Sequence, residues 1–263
     1  MLGARVLSAL VMAPPALLAA WLGGYAFAAL VLVATGIMCW EWERIITQRF
    51  GWSGRVAALG CMIAAVLAVE QPALALLLVV AAALVAAVLA RGQGKCPRLW
   101  AGLGPLYAGL PAVALVWLRG DGEVGRQTLF WLLLLVWATD IGAYAAGRTI
   151  GGPLLMPAVS PKKTWAGLIG GVLSAALVGL AAGWVLQSVH PLALAVGSGA
   201  LAVVAQAGDL AESWVKRRWG VKDSSNIIPG HGGVLDRVDG LLAAAGAVAL
   251  VSWATGTAVL QWQ

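Results

Sequence analysis

The residues of this chain that are best able to do chemistry are five carboxylates between positions 208 and 240. They form two pairs spaced three residues apart, with one acid between the pairs: Asp209, Glu212, Asp223, Asp236 and Asp239. On a helix, a spacing of three places two side chains on one face. Carboxylates that converge near hydrocarbon need a partner or a metal ion, and hard oxygen ligands favour Mg²⁺. The spacing therefore predicts a Mg²⁺ site, with a second cation left open.

An ion-pair network is the alternative interpretation of the same acids. Five cations lie within or beside the acidic stretch, and they are Lys216, Arg217, Arg218, Lys222 and Arg237. These cations could neutralise the carboxylates directly, or they could clamp several phosphates while the acids hold a metal ion. The second arrangement is how proteins catalyse phosphoryl and nucleotidyl transfer.

A second polar stretch carries two adjacent lysines. Ser160-Pro161-Lys162-Lys163-Thr164 predicts the start of a helix, with Ser160 as N-cap and Pro161 as its first residue. Lysines at a helix N-terminus oppose the helix dipole, so a bound phosphate would account for them. The alternative is that they only mark the inner face of a membrane.

Two further residues are candidates for the same chemistry. His231 lies in Pro229-Gly230-His231-Gly232-Gly233, where glycine permits tight turns and close approach to a ligand. It could contact a phosphate, act as a general acid or base, or cap the turn. Asp140 is close to the end of a predicted helix, and we expect it to join the acids.

The composition indicates which elements must position these residues. Of the 263 residues, 61% are hydrophobic and 11% are charged, whereas a soluble domain is about 45–50% apolar and about 25% charged. This excludes a soluble globule and a disordered chain, and it predicts an all-α integral membrane protein. The net charge of +6 then reflects membrane topology, and no nucleic-acid partner is expected.

About twenty apolar residues span a bilayer, and the sequence predicts about nine transmembrane helices. The predicted spans are 4–22, 24–45, 55–70, 72–90, 98–118, 127–147, 165–187, 191–215 and 239–258. We divide them into N-terminal helices, residues 1–96 with about four spans, and a catalytic region, residues 97–263. Whether the first two spans are separate is left open.

The basic residues orient these spans. Fifteen of the 17 lie on one side, including Arg91 and Lys95, and only Arg119 and Arg126 lie on the other. The positive-inside rule then places the N-terminus and both polar stretches in the cytoplasm. Glu41 and Glu43 share a helix end with Arg44, which predicts a surface ion pair. Glu70, Asp121 and Glu123 are predicted to lie in outer loops.

A long pattern between residues 213 and 239 carries a family resemblance. It reads Ser213-x-Val215-Lys216-Arg217-x4-Lys222-Asp223-x-Ser225-x2-Ile228-Pro229-x-His231-Gly232-Gly233-Val234-x-Asp236-Arg237-Val238-Asp239. Companion segments are Asp140-x3-Tyr144-x2-Gly147-Arg148, Ser160 to Gly167, and Gly208-Asp209-Leu210-x-Glu212-Ser213. Over residues 97–260, the chain resembles the phosphatidate cytidylyltransferases, the CDP-diacylglycerol synthases.

The resemblance implies a reaction in which CTP and phosphatidate give CDP-diacylglycerol and pyrophosphate with Mg²⁺. It implies that Asp223, Asp236 and Asp239 are the leading metal or catalytic acids, with Lys222 and His231 beside them. Metal-supporting roles fall to Asp209, Glu212 and Asp140. Substrate-binding roles fall to Arg148, Ser160, Lys162, Lys163, Thr164, Ser213, Lys216, Arg217 and Arg237. The spacing does not rank the acids.

Such an enzyme would lie in the bacterial inner membrane with a cytoplasmic-face active site, and we expect a homodimer. A polytopic ion or substrate transporter is the alternative function, because intramembrane carboxylates and glycine-broken helices also suit a transport path. Against a transporter, the charges gather at one face and the sequence has no visible inverted repeat.

Overall fold

A computed structural model describes residues 2–90, 97–120, 122–187 and 190–261. Within those residues it has nine α-helices, a two-stranded antiparallel sheet and a final 3₁₀ turn. The helices are α1 (Leu2–Leu22), α2 (Gly24–Thr47), α3 (Trp52–Leu67), α4 (Pro72–Leu89), α5 (Pro97–Arg119), α6 (Glu123–Thr149), α7 (Trp165–Leu186), α8 (Pro191–Arg218) and α9 (Leu235–Thr255). The strands are β1 (Leu154–Met156) and β2 (Ser160–Thr164).

Seven of the described helices, α2 and α4 to α9, are long and apolar enough to cross a membrane. Shorter apolar stretches cover Leu10–Leu22 and Trp52–Leu67. The prediction of an all-α membrane protein is confirmed at this level, whereas the count of about nine spans stays a prediction. Arg91, Lys95 and Asp121, which entered the topology argument, lie outside the described residues.

The chain divides into two compact units. Unit 1 comprises Met1–Asp121 and Arg218–Val238, and unit 2 comprises Gly122–Arg217 and Asp239–Gln263. Unit 1 thus contains α1 to α5 and the loop that precedes α9, whereas unit 2 contains α6, the sheet, α7, α8 and most of α9. The division into residues 1–96 and 97–263 stays a prediction.

Unit 1 packs its helices through small residues. A Cβ added at Gly60 on α3 would lie 2.5 Å from the Cβ of Ala82 on α4. A Cβ added at Gly109 on α5 would lie 2.7 Å from the Sγ of Cys61 on α3. Helices in a membrane gain no hydrophobic free energy by leaving lipid, so close van der Waals packing between small residues holds them together.

Arg119, at the end of α5, joins two helix ends in unit 1. Its guanidinium is buried and donates hydrogen bonds to the carbonyls of Ala20 at 2.5 Å, Trp21 at 2.5 Å and Gly120 at 2.9 Å. The last carbonyls of a helix have no partner within the helix, so Arg119 satisfies two at the end of α1. Gly23 leaves room for it, because a Cβ there would lie 2.6 Å from Cζ of Arg119.

We expect Arg119→Met to lower the melting temperature of the detergent-solubilised protein by about 5–10 °C, because charged hydrogen bonds to buried carbonyls are lost. The matched control is Arg126→Met. Arg126 forms an exposed ion pair with Glu123, and such a pair contributes little to stability. Equal melting temperatures for the two variants, measured by thermal-shift fluorescence, would contradict the structural role of Arg119.

Unit 2 is held together by a stripe of small residues on α7. The buried residues of this helix recur every four positions, and they are Gly167, Gly171, Ala175, Gly179 and Gly183. A Cβ added at Gly171 would lie 2.9 Å from the carbonyl oxygen of Thr139 on α6. The glycines therefore let α7 approach the backbone of α6, as small residues spaced four apart do in membrane helices.

The polar stretch between α6 and α7 differs from the prediction. Ser160–Thr164 form strand β2, which pairs with β1 in the register Leu154 to Thr164. The prediction that Ser160 is the N-cap and Pro161 the first helical residue is therefore wrong. Thr164 is the N-cap of α7, and its side-chain oxygen accepts a hydrogen bond from the backbone N–H of Gly167 at 3.0 Å. Antiparallel pairing with the neighbouring strand Leu154–Met156 overrides the local Ser-Pro signal.

Candidate active site

Three of the predicted acids come together in unit 2, where α8 and α9 pack closely. A Cβ added at Gly208 would lie 2.5 Å from the Cβ of Ala243 and 3.1 Å from the carbonyl oxygen of Asp239. This close approach brings the Asp239 carboxyl within hydrogen-bonding reach of Glu212, and Asp209 is near enough to add electrostatic repulsion. The three side chains, which we call the carboxylate cluster, are Asp209, Glu212 and Asp239.

Two lysines partly neutralise the carboxylate cluster. Lys163 Nζ from β2 lies 2.7 Å from Oδ2 of Asp209, and Lys216 Nζ lies 2.9 Å from Oε2 of Glu212. The second pair is almost fully buried, with side-chain exposures of 9% and 2%. Lysine side chains thus engage two of the three acids of the cluster. The ion-pair interpretation therefore describes part of this cluster, and its carboxyl oxygens suit a divalent cation that brings its own phosphate ligands.

The donor chemistry of the cluster fits Mg²⁺. Among the described residues, no group of three or more His, Cys, Asp or Glu side chains has the arrangement of a complete metal site. Mg²⁺ does not require one, since proteins commonly bind it through one or two carboxylates together with substrate phosphates and water. Asp239 and Glu212 supply two adjacent carboxyl groups of this kind.

Ser213 and Asp209 form a further contact on α8. The Ser213 hydroxyl donates to Oδ1 of Asp209 at 3.3 Å, one helical turn away. Both oxygens of Asp209 therefore have partners within unit 2, because Lys163 contacts Oδ2. Of the predicted phosphate-binding residues, Lys163, Lys216 and Ser213 thus contact the acids in this structure.

In unit 1, Asp236 organises the loop that precedes α9. One of its oxygens, Oδ2, accepts hydrogen bonds from the backbone N–H of Ser224 at 2.9 Å, the Ser224 hydroxyl at 2.9 Å and the backbone N–H of Gly233 at 2.8 Å. The contact to Gly233, three residues earlier, resembles the carboxylate half of a capping box. Asp236 therefore holds both ends of residues 224–233 together.

Glu41 on α2 is a residue of this region whose burial differs from the sequence prediction. It is fully buried rather than paired at the surface, so the predicted ion pair with Arg44 is wrong. Its Oε1 accepts from the Ser225 hydroxyl at 2.6 Å and from Val234 N–H at 2.9 Å, and its Oε2 accepts from Leu235 N–H at 2.8 Å. A carboxylate at a helix N-terminus is stabilised by the helix dipole. Glu41 thus caps α9.

Glu43 is also buried, and the Ser53 hydroxyl on α3 donates to its Oε1 at 2.5 Å. The prediction of a surface pair fails for this residue for the same reason. Only Arg44, of the three residues at this helix end, is exposed. The sequence carries a signal for burial of Glu41, because a tryptophan stands on either side of it, but it does not say which distant backbone groups the acid meets.

The start of the same loop is anchored by aromatic rings. Trp219 packs edge-on against Trp100 of α5 with ring centroids 4.5 Å apart, and Trp42 donates from Nε1 to the Trp100 carbonyl at 2.9 Å. The Arg218 guanidinium lies 5.7 Å from the centroid of each of the Trp100 and Trp219 rings. The loop is therefore held at its start by aromatic packing and at its end by Glu41.

Gly233 is required where this loop meets Glu41. A Cβ added there would collide with Oε1 of Glu41 and with the Ser224 hydroxyl. Gly232 adopts φ of +88°, which other residues rarely adopt, and a Cβ there would lie 2.6 Å from Oδ2 of Asp236. The glycines of the His-Gly-Gly sequence therefore serve close packing of this loop against two carboxylates.

We expect Gly233→Ala to abolish most of the turnover and to lower the melting temperature, because the new methyl group displaces Glu41 from the start of α9. Gly246→Ala is the matched control on α9, since a Cβ added at Gly246 meets no atom within 4 Å. The control should be as stable as the parent protein or slightly more stable, because alanine favours a helix. Parent-like turnover and melting of Gly233→Ala would contradict this account.

The loop places His231 near α1. The Ser8 hydroxyl lies 2.8 Å from Nδ1 of His231, and His231 N–H donates to the Ile228 carbonyl at 3.0 Å. The turn is closed by Ile228 N–H, which donates to the Gly232 carbonyl at 2.9 Å. The contact with Ser8 holds the ring, the backbone bonds hold the turn, and the roles of His231 as a phosphate ligand or as an acid or base stay predictions.

Most of the other predicted site residues lie at exposed or partly exposed positions. Lys222, Asp223 and Arg237 are exposed in unit 1, and Lys162, Arg217 and Asp140 are exposed in unit 2. Arg148 donates from Nη1 to the Tyr144 hydroxyl at 2.6 Å, one turn earlier on α6. Ser160 is half-buried and Thr164 is buried as the N-cap of α7. The structure brings Asp209, Glu212 and Asp239 together, and it places Asp223 and Asp236 in the loop of unit 1.

A sequence model described as the cytidylyltransferase family matches residues 3–254. The chain belongs to the cytidylyltransferase family. A protein from Brucella suis named phosphatidate cytidylyltransferase is 41% identical over 249 residues, covering 92% of this chain and 89% of the relative. Relatives of the same name from Pseudomonas aeruginosa and Haemophilus influenzae are 37% and 34% identical and cover 97% and 93% of this chain, with 98% and 96% of their own lengths aligned. The match thus extends through both units of this cytidylyltransferase-family chain.

Proposed function

We propose that this chain is a phosphatidate cytidylyltransferase, which transfers CMP from CTP to phosphatidate. The observation that carries the proposal is the near full-length similarity to relatives of that name, in a chain whose carboxylate cluster suits a metal–phosphate complex. A phosphate oxygen of the lipid forms a bond to the α-phosphorus of CTP, and the bond from that phosphorus to pyrophosphate breaks. The products are CDP-diacylglycerol and pyrophosphate.

In the proposed reaction, the protein groups act mainly by positioning and by charge neutralisation. Asp239 and Glu212 would hold Mg²⁺, with Asp209 as a supporting ligand. When bound, Mg²⁺ would neutralise phosphate charge and stabilise the developing charge of the leaving group. Lys163 and Lys216 contact the acids directly, and in the proposed reaction each would exchange its carboxylate for a phosphate oxygen when CTP binds.

The loop of unit 1, taken by itself, carries further residues for which we propose cationic and hydrogen-bonding roles. Lys222 and Arg237 are exposed and would bind phosphate oxygens, while His231, held by Ser8, would donate a hydrogen bond. Arg148, Lys162 and Arg217 remain proposed substrate ligands of unit 2. Asp223 and Asp236 remain proposed metal or catalytic acids, although Asp236 already uses one oxygen to hold its loop. Asp140 remains a proposed metal ligand.

We further propose that the active site faces the cytoplasm from a bacterial inner membrane. The distribution of basic residues supports this orientation, because Lys and Arg concentrate on the cytoplasmic side of membrane proteins. A site at that face would meet both a soluble nucleotide and a membrane lipid. The homodimer and the second cation remain predictions.

The test uses the purified full chain in detergent micelles with CTP, phosphatidate and MgCl₂. We expect equal amounts of pyrophosphate and CDP-diacylglycerol, and we expect EDTA to stop their release. A folded protein that releases neither product would overturn the proposal. The relatives' names do not favour the transporter alternative, and uptake of ions or CTP into proteoliposomes without product formation would be its signature.

A further inference from the structure

An apolar groove lies between α2 and α3 in unit 1. It has a volume of about 520 Å³ and is lined along its length by apolar side chains that include Val33, Ile37, Leu59 and Met62. Val33 and Leu59 are 56% and 60% exposed, so the groove is open at the side of the helix pair. Among the described residues that line it, Arg55 is the only charged one.

A polar cavity adjoins this groove. It has a volume of about 450 Å³ and shares two lining residues, Trp40 and Ile227, with the groove. Its other lining residues are mostly polar or charged, and they include Arg44, Gln48, Ser225, Asn226 and Asp223. The combined space therefore passes from hydrocarbon-like walls to hydrogen-bonding walls across Trp40 and Ile227.

Tryptophan and arginine mark the boundary between the two spaces. The Arg44 guanidinium lies 5.0 Å from the centroid of the Trp40 ring, and that of Arg55 lies 5.1 Å from the centroid of the Trp52 ring. Tryptophan is enriched at the headgroup level of a bilayer, and arginine extends its charge toward the same level. From Trp40 back to Val33 the groove follows α2 for about 10 Å toward the bilayer interior.

We propose that the groove and the polar cavity together bind the phosphatidate substrate, with one acyl chain along Val33 and Leu59 and the phosphate beside Arg44. This assignment rests on the proposed function, because it names the binding place of that reaction's lipid. Arg44 in the cavity and Arg55 in the adjoining groove provide two positive charges against the one carboxylate of Asp223, so the lining of the combined space has a net positive charge that complements a phosphate. The side-chain amide of Asn226, which also lines the cavity, adds donors.

The apolar lining of the groove favours a lipid over a nucleotide as the occupant. A nucleotide has no hydrocarbon chain to place along apolar walls, whereas an acyl chain can pass from the bilayer into the groove and stay in apolar surroundings. The side opening at Val33 and Leu59 gives a chain access from the bilayer. The position also brings the lipid phosphate next to the loop of unit 1, which carries the proposed site residues Lys222, Asp223 and His231.

The first test fills the groove. Leu59→Trp should raise the KM for dioleoyl-phosphatidate about tenfold, an apparent loss of about 1.4 kcal/mol, while kcat and the KM for CTP change little. The KM for dihexanoyl-phosphatidate should change less, because its short chains fill less of the groove. Leu77→Trp is the matched control, since Leu77 is 66% exposed on α4 and does not line the groove. Equal KM values for the two variants with dioleoyl-phosphatidate would overturn the proposal.

The second test does not depend on turnover. Phosphatidate with a photoreactive diazirine in one acyl chain is irradiated with the full chain, and labelled peptides are mapped by mass spectrometry. We expect labelling of the α2 and α3 peptides that contain Val33 and Leu59, reduced by unlabelled phosphatidate and by Leu59→Trp. Labelling confined to other helices would overturn the lipid site. Labelling at the groove in a wild-type protein without activity would support the lipid site and defeat only the proposed function.

Discussion

Asp239→Asn is expected to reduce CDP-diacylglycerol formation by at least about 100-fold, which corresponds to about 2.7 kcal/mol of lost transition-state stabilisation. Asp239 shares the carboxylate cluster with Glu212 and Asp209, and asparagine removes the charge that would hold Mg²⁺. The fold should persist, because asparagine has the same shape and its side-chain oxygen can still accept the Gly240 N–H, now 2.7 Å from Oδ1. The measurement is pyrophosphate release as a function of Mg²⁺ concentration.

The control for this variant is Glu123→Gln, which removes a carboxylate from an exposed ion pair with Arg126. It should leave turnover within about twofold of the parent, because exposed pairs contribute little. Asp239→Asn should also require more Mg²⁺ for half-maximal rate, which a purely structural acid would not produce. Near-parent turnover in Asp239→Asn, with melting unchanged, would show that this carboxylate is not essential.

Glu41→Gln is expected to have the second largest effect, on stability and on turnover together. The carboxylate accepts three hydrogen bonds from Ser225, Val234 and Leu235, and every partner is a donor. A glutamine amide presents an NH₂ group on one side, so at least one buried donor faces another donor in either orientation. A buried polar group without its partner costs about 1–3 kcal/mol. The helix dipole of α9 also loses its compensating charge.

Thermal unfolding and turnover of Glu41→Gln should therefore both fall, whereas Glu70→Gln should change neither by much. Glu70 accepts an exposed hydrogen bond from Tyr25 at 3.3 Å, and it belongs to the turn between α3 and α4. Hydrogen exchange gives a sharper readout, since amides of residues 224–236 should lose protection in Glu41→Gln but not in Glu70→Gln. Unchanged protection in that segment would refute the capping role of Glu41.

Much of the fold is predictable because the membrane imposes it. Each predicted span overlaps one of the described helices, since a bilayer leaves backbone groups no partner except within the helix itself. The stretch before α7 lies outside the predicted spans, and there the predicted helix start is wrong. Its Ser-Pro-Lys-Lys-Thr sequence carries a local helix-start signal, but Ser160–Thr164 pair with Leu154–Met156 instead. A local helix-start sequence does not determine the structure of a short polar segment that can pair with a neighbouring strand instead.

The candidate site also has one part that the sequence predicts and another that depends on tertiary packing. The spacing of Asp209 and Glu212 correctly places them on one face of a helix, because helical geometry depends only on sequence separation. Their association with Asp239 and Lys163 requires the packing of α8, α9 and β2, which Gly208 permits. Glu41 could not be found from spacing, because it lies 184 residues from Ser225 along the chain.

The sequence by itself determined that this chain is a membrane protein, which residue types could handle phosphate and metal, and that it resembles the phosphatidate cytidylyltransferases. Those properties depend on composition and on short-range order along the chain. Only the tertiary structure decided which acids share a cluster, that Glu41 is a buried helix cap, and that an apolar groove adjoins a polar cavity at Trp40. Such features depend on side chains from distant segments meeting in a closely packed interior, and the free energy of each contact is set by its partners.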